Sequence, residues 1–418
     1  MKNASSIEKI RAAVYQPPAP VAPEISNTQA ENPLEILTQV ADALRVASIH
    51  GIDIVLFPEM YLNGGPNRVL SGISAALDRE SYELNIVGNL CGELNVACVV
   101  GYAELRHESE FKSSKPKKGS DQDQDDENGI YNSIAAFNAD GSRAGNYRCV
   151  NSYTDSSTAS GTKDPSSTMD FMKGHPFVEV MSTLMQLPTR QELSPPKDEL
   201  SGGEEVSSVQ GTREVRVGMM CGDDLLIPEH CRHLARSGAQ ILLTSASFQH
   251  DRDYRVAKHI IPTRSMENEV PLLFANYVDQ SSLVPVHEAE EDKNNKLMTF
   301  IGSSAIISQD GSELVRAPEE EYGDMPSDNG YLLPCEVGAL YAADIEINVE
   351  SGVSQQGSAR SQGAIQSSIE QWDLTPRIQM KADDDGNDKR HKKESNGFGR
   401  EVQKALGRRN QGKMRKRK

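Results

Sequence analysis

Two apolar, β-prone runs in this chain each stop abruptly on a side chain able to do chemistry. Ile52-Asp53-Ile54-Val55-Leu56-Phe57 runs into Pro58-Glu59, and Val217-Gly218-Met219-Met220 runs into Cys221-Gly222-Asp223-Asp224. Short apolar runs bounded by Gly, Pro and acids read as buried strands. A carboxylate and a thiol launched from the ends of two such strands point to a layered sheet architecture. They also supply the two parts of nucleophilic catalysis, a base and a nucleophile, with the backbone N–H groups after the thiol facing any oxyanion.

The rest of the pattern agrees with that frame. Residues 11–16 and 96–102 read as strands, and 33–50 as a helix with Leu34, Ile36, Leu37, Val40, Ala43, Leu44 and Ala47 at helical spacing. A further helix is expected over 73–94. Asp140-Gly141 and Asp310-Gly311 mark the turns of two β-hairpins, 130–150 and 299–316. Strands over 215–220, 239–245 and 271–276 alternate with helices over 229–237 and 259–268. Strands mixed with helices and hairpins predict an α/β (α+β layered) domain, not a solenoid.

Four polar stretches interrupt it, near 107–128, 156–167, 190–212 and 288–295, and read as surface excursions. The main domain is placed at 9–349 and a low-complexity, disordered tail at 350–418. The net charge of −17 is uneven: 13 Lys/Arg against 2 Glu between Lys389 and Lys418 amount to +11, which leaves −28 for the remainder. An acidic body argues against a nucleic-acid-binding core. The basic end suits acidic partners, nucleic acid or import receptors, beside the plain reading of a solvated end.

Six cysteines without CxxC spacing read as reduced intracellular thiols. His230 and His233 beside Cys231 are too few converging ligands for zinc, and no metal or other cofactor is expected. There is no Walker-type or dinucleotide Gly pattern. Neither a secretory signal nor a run of the ~20 apolar residues that a membrane span needs is seen. The expectation is a cytoplasmic protein, with nuclear import open through the basic tail.

An ordered set of motifs resembles the nitrilase, or carbon–nitrogen hydrolase, superfamily. It comprises Leu56-Phe57-Pro58-Glu59, Tyr131-Asn132-Ser133, Tyr147-Arg148, Phe171 to Gly174, Val217 to Asp223, Glu267-Asn268, Ala275-Asn276 and Gly302-Ser303-Ser304. The resemblance covers about 9–346. It implies a four-layer α-β-β-α nitrilase-type sandwich, a Glu–Lys–Cys triad and dimers through helix contacts. Glu59 falls on the general base, Cys221 on the nucleophile, and the Gly222 N–H on an oxyanion donor. Gly64-Gly65 falls on the loop beside the substrate site.

The chain departs from the family at three places. Tyr147-Arg148 is followed by Cys149 where the family has its lysine. Losing such a cationic donor costs on the order of 3 kcal/mol of transition-state stabilisation. Arg148 is a poor substitute, because neighbours on a strand face opposite sides; Lys163 and Lys173 are within a loop's reach. A helper glutamate has no counterpart among Asp155, Asp164 and Asp170, and Pro228 stands one residue further from Cys221 than in the family. The expected activity is thiol-dependent hydrolysis of a small amide, N-carbamoyl amine or nitrile through a thioester or thioimidate. The alternative is a catalytically silent nitrilase-fold binding or scaffold protein.

Overall fold

The computed structural model describes residues 6–18, 33–66, 69, 76–106, 129–151, 172, 174, 182–190, 209–249, 255–278, 300–318 and 330–349. The sequence-expected tail and most of the four polar stretches lie outside them. The described residues build one unit with two sheets. The first contains β1 (Ser6–Gln16), β2 (Ile54–Leu56), β3 (Ala97–Leu105), β4 (Ile130–Phe137), β5 (Arg143–Arg148), β12 (Tyr331–Pro334) and β13 (Ala339–Val349). Its order is β12-β13-β1-β2-β3-β4-β5. The second contains β6 (Thr183–Arg190), β7 (Val209–Cys221), β8 (Ile241–Ser245), β9 (Leu272–Ala275), β10 (Ala305–Ile307) and β11 (Glu313–Arg316), ordered β11-β10-β9-β8-β7-β6. In each sheet a parallel trio, β1-β2-β3 or β7-β8-β9, is extended by an antiparallel hairpin.

Alternation along the strands makes the layers. Ile10, Ala12 and Val14 of β1 and Ile54 and Leu56 of β2 face Val215, Val217, Met219 and Cys221 of β7 in an apolar layer between the sheets. The intervening residues Ala13, Tyr15, Val55 and Phe57 face outward onto α1 (Pro33–Ile49) and α2 (Tyr82–Leu94). On the other side, Met220, Leu242 and Leu272 pack under α3 (Pro228–Arg236) and α4 (Ile261–Asn268). This period-2 division of side chains between two faces yields the expected four-layer α-β-β-α sandwich.

Several boundaries differ from expectation. The second helix begins at Tyr82, not near 73, because Ser81 caps it and Leu77 is already bridged to Glu104 of β3. Strand β6 was not foreseen; its Pro188 sits on a sheet edge at an irregular register, where a missing N–H is tolerated. β6 and β7 also take in both ends of the stretch assigned to the 190–212 insertion. β12 and β13 were not foreseen either, although β13 pairs with the whole of β1 from Ser6↔Val349 to Gln16↔Ala339. Both Asp-Gly turns form, with Gly141 at φ 87° and Gly311 at φ 84°. Gly141 is required: a Cβ there would lie 2.6 Å from the Gly88 carbonyl of α2. Among the described residues no helix is long and apolar enough to cross a membrane.

Candidate active site

Glu59 is held by both sheets. Gly101 of β3 passes beneath it so closely that a Cβ there would lie 2.7 Å from Glu59 Cα and from Met60 N. Met60 turns the chain in the left-handed region at φ 51°, a conformation non-glycine residues adopt at some cost. The Glu59 backbone N–H reaches Ala246 O just past β8 at 3.3 Å, and Tyr277 Oη donates to the Glu59 carbonyl at 2.7 Å. Its carboxylate accepts from the Gly222 N–H at 2.8 Å and from Ser247 Oγ at 2.5 Å, and the Asn132 side chain also bonds it. Burial is the largest influence on this carboxyl; with the nearby Asp223 charge it outweighs those hydrogen bonds and pushes the pKa up to about 7.

Cys221 is the last residue of β7 and fully buried between the sheets. A 3₁₀ turn over Gly222–Leu226 follows directly and leads into Pro228 at the start of α3. Asp224 locks this turn. Its Oδ2 accepts from the Cys221 N–H at 3.1 Å and from Tyr147 Oη, while Oδ1 accepts from Asn151 N at 2.8 Å and Asn151 Nδ2 at 2.9 Å. Gly222 has no room for a side chain: a Cβ would lie 2.7 Å from the Phe248 ring.

Cys149, the first residue beyond β5, points into the same space. The Sγ atoms of Cys149 and Cys221 and a carboxylate oxygen of Asp224 lie within 4.8 Å of one another, and the two thiols are in hydrogen-bonding contact. Burial pushes Cys221 well above the usual thiol range, and its contacts with Cys149 and Glu59 push the same way. At Cys149 the bond to Cys221 lowers the pKa, but burial and the surrounding acids outweigh it and leave about 12.

Arg148 faces away, as strand alternation requires. It donates to Glu104 Oε1 from Nε at 3.0 Å and from Nη2 at 2.6 Å, and stacks over the Tyr131 ring at 3.8 Å. Among the described residues no Lys or Arg pairs with Glu59 or Asp224. Lys163 and Lys173, and with them Asp155, Asp164 and Asp170, lie outside the described residues.

The structure thus brings Glu59, Cys221, Cys149 and Gly222 to one place. In the structure the Gly222 N–H is engaged by Glu59. Sequence reading assigns no role to Ser247, Asn132, Asn151, Tyr147 or Asp224. Asn132 and Tyr147 stand inside family-like stretches, so a signal existed; Ser247 and Asn151 have no local mark. α3 is amphipathic in the outer layer: it buries His230 and Cys231 and exposes Glu229, His233 and Arg236. His230 Nε2 lies 3.3 Å from Tyr147 Oη, and Cys231 Sγ contacts Met220 Sδ, so the three do not converge.

A model of the carbon-nitrogen hydrolase family matches residues 11–326. The chain belongs to the carbon-nitrogen hydrolase family. A curated relative of this carbon-nitrogen hydrolase chain is the "Hydrolase in pqqF 5'region" of Pseudomonas protegens. The two are 24% identical over 321 residues, 76% of this chain and 82% of the relative. Among solved structures, a cysteine-to-alanine mutant of the amidase from Nesterenkonia sp. AN1 in complex with butyramide is similar at 18% identity. It has a TM-score of 0.48, with 87% of this chain and 97% of that one covered. A further structure of an amidase from Nesterenkonia sp. is similar at 18% identity and a TM-score of 0.47, covering 80% and 89%.

Proposed function

We propose that this chain is a thiol-dependent hydrolase of carbon–nitrogen bonds in small amides or N-carbamoyl amines. The observation that carries the reading is the buried Glu59 carboxylate hydrogen-bonded to the N–H of Gly222, the residue next to the Cys221 thiol. Glu59 takes the Cys221 proton as sulfur attacks the carbonyl carbon. A protonated carboxyl is a weaker acceptor than a carboxylate, so the Gly222 N–H becomes available to the oxyanion at that moment. Glu59 then gives its proton to the leaving ammonia or amine, and a thioester remains on Cys221. Water activated by Glu59 attacks the thioester, the acid leaves and the thiol is restored.

Asn132 supports an amide over a nitrile. Its side chain bonds Glu59, yet among the described residues its buried Oδ1 has no hydrogen-bond partner. A buried acceptor left unpaired costs about 1–3 kcal/mol. The N–H of an amide or carbamoyl group would satisfy it, and a nitrile has none to offer.

One observation favours a second reading. Cys149 fills the position of the family lysine without a positive charge, and the described residues hold no other cation against Cys221. A fold that keeps its base and thiol but does not turn over substrate would look the same. Ammonia release across small amides, N-carbamoyl amines and nitriles separates the two. The hydrolase reading expects release from the native chain that is lost in Cys221→Ala. Equal release from native chain and Cys221→Ala would show that the thiol is not the nucleophile. Silence of the native chain with release from Cys149→Lys would favour the second reading.

A further inference from the structure

The exchange of a lysine for Cys149 does more than remove a charge: it places a second thiol against Cys221. Two chemistries suit that arrangement, a soft metal or a disulfide. Asp224 would have to be the third metal ligand. Its two oxygens already accept from Asn151 N, Asn151 Nδ2, Cys221 N and Tyr147 Oη, which fills the roughly four acceptor positions of a carboxylate. The two thiols alone fall short of the donors that zinc takes. Cys91 and Cys98 are also in contact, but in the apolar layer under α2, where among the described residues no carboxylate adjoins them to move a proton. Cys149 and Cys221 adjoin both Glu59 and Asp224. Cys149 is the first residue past β5 and Cys221 the last of β7. Turning either side chain therefore leaves the strand interiors paired.

We propose that Cys149 and Cys221 are a modification site for peroxides, joined reversibly as a disulfide. A hydroperoxide takes two electrons from one thiol, giving its sulfenic acid and, from hydrogen peroxide, one water. The sulfur of the other thiol attacks that sulfur; the S–S bond forms, the S–O bond breaks and a second water leaves. A thiol reductant reverses it by exchange. The pairing stands on the geometry of the two thiols alone. Its consequence, loss of hydrolysis while Cys221 is tied up, rests on the function proposed above.

The test uses the full chain, freed of reductant and treated with hydrogen peroxide at a dose that oxidises the less buried Cys335. Free thiols are then alkylated in denaturant and the chain is mapped without reduction. The expected result is a joined pair of peptides carrying Cys149 and Cys221, lighter by two hydrogens and separated by dithiothreitol. Cys149→Ser should instead carry Cys221 on to sulfinic acid, because the sulfenic acid has no partner thiol. The proposal is overturned if Cys149 and Cys221 both remain fully alkylated, if either is joined only to another cysteine, or if Cys221 over-oxidises in the native chain while Cys149 stays free. Ammonia release is read on the same samples. A joined pair without release from the reduced chain would sink the hydrolase reading and leave the pairing; release without a joined pair would do the reverse.

Discussion

At the scale of single residues, the difficulty of this site is the proton on Cys221. Burial holds that thiol well above 9 and leaves Glu59 at about 7. Proton transfer from the buried thiol to the buried carboxyl is therefore uphill. A cation beside the sulfur would shrink the gap and stabilise the oxyanion. Cys149→Lys is therefore expected to raise kcat/KM for amides by about 10²–10³, with faster alkylation of Cys221 at neutral pH. If the folded variant shows neither, the missing charge is not what limits the site. With Glu59 as the proposed base, native turnover is expected to rise with pH through about 7. Glu59→Gln should remove that limb and lower kcat by about 10²–10⁴, measured by the pH–rate profile.

At the scale of elements, the position of Glu59 is set by the strand packed beneath it. Gly101 lets β3 run directly under Pro58 and Glu59, and a methyl group there must push the Glu59 backbone aside. Gly101→Ala is expected to cost about 1–3 kcal/mol of stability and to reduce kcat more than it changes KM, read from denaturant midpoints and steady-state kinetics. The neighbouring strands β3, β4 and β5 are tied by a buried carboxylate. Glu104 accepts from Arg148, from Ser133 Oγ at 2.7 Å, from Asn146 Nδ2 at 2.9 Å and from Arg79 Nε at 2.5 Å. Glu104→Ala would leave Arg148 buried and without this partner, which costs about 3–5 kcal/mol; an unchanged urea midpoint would disprove the tie. That pairing also keeps Arg148 out of the active site, so the strand that delivers Cys149 cannot offer its arginine instead.

For the whole molecule, two buried carboxyls shape stability in opposite directions. Burial pushes Glu104 up, but the hydrogen bonds from Arg148 and Ser133 win and hold it at about 2. Its stabilisation is present above the unfolded value near 4.5 and is lost as pH falls through 2. Glu59 is raised to about 7, so the folded chain keeps a proton that the unfolded one releases from about 4.5 upward. Stability from this group declines as pH rises from there through 7. Each shift corresponds to about 3 kcal/mol, and the thermal midpoint should peak near pH 5. Glu59→Gln should flatten the decline between pH 5 and 8; an unaltered slope would contradict the buried protonated carboxyl. The sequence alone carried the layers and the two ends that matter, because alternation and turn residues are local: Phe57-Pro58-Glu59 and Met220-Cys221 could be placed at strand ends without a partner in sight. It missed β6, β12 and β13, whose identity depends on pairing: Pro188 is acceptable only on an edge, and β13 exists because β1 offers it a full register. Only the tertiary structure decided that Cys149 meets Cys221, that Asp224 fastens the turn through Tyr147 and Asn151, and that the Gly222 N–H is engaged by Glu59. Those facts arise from two sheets closing on one another, and no local pattern in the chain encodes which side chains then share a buried space.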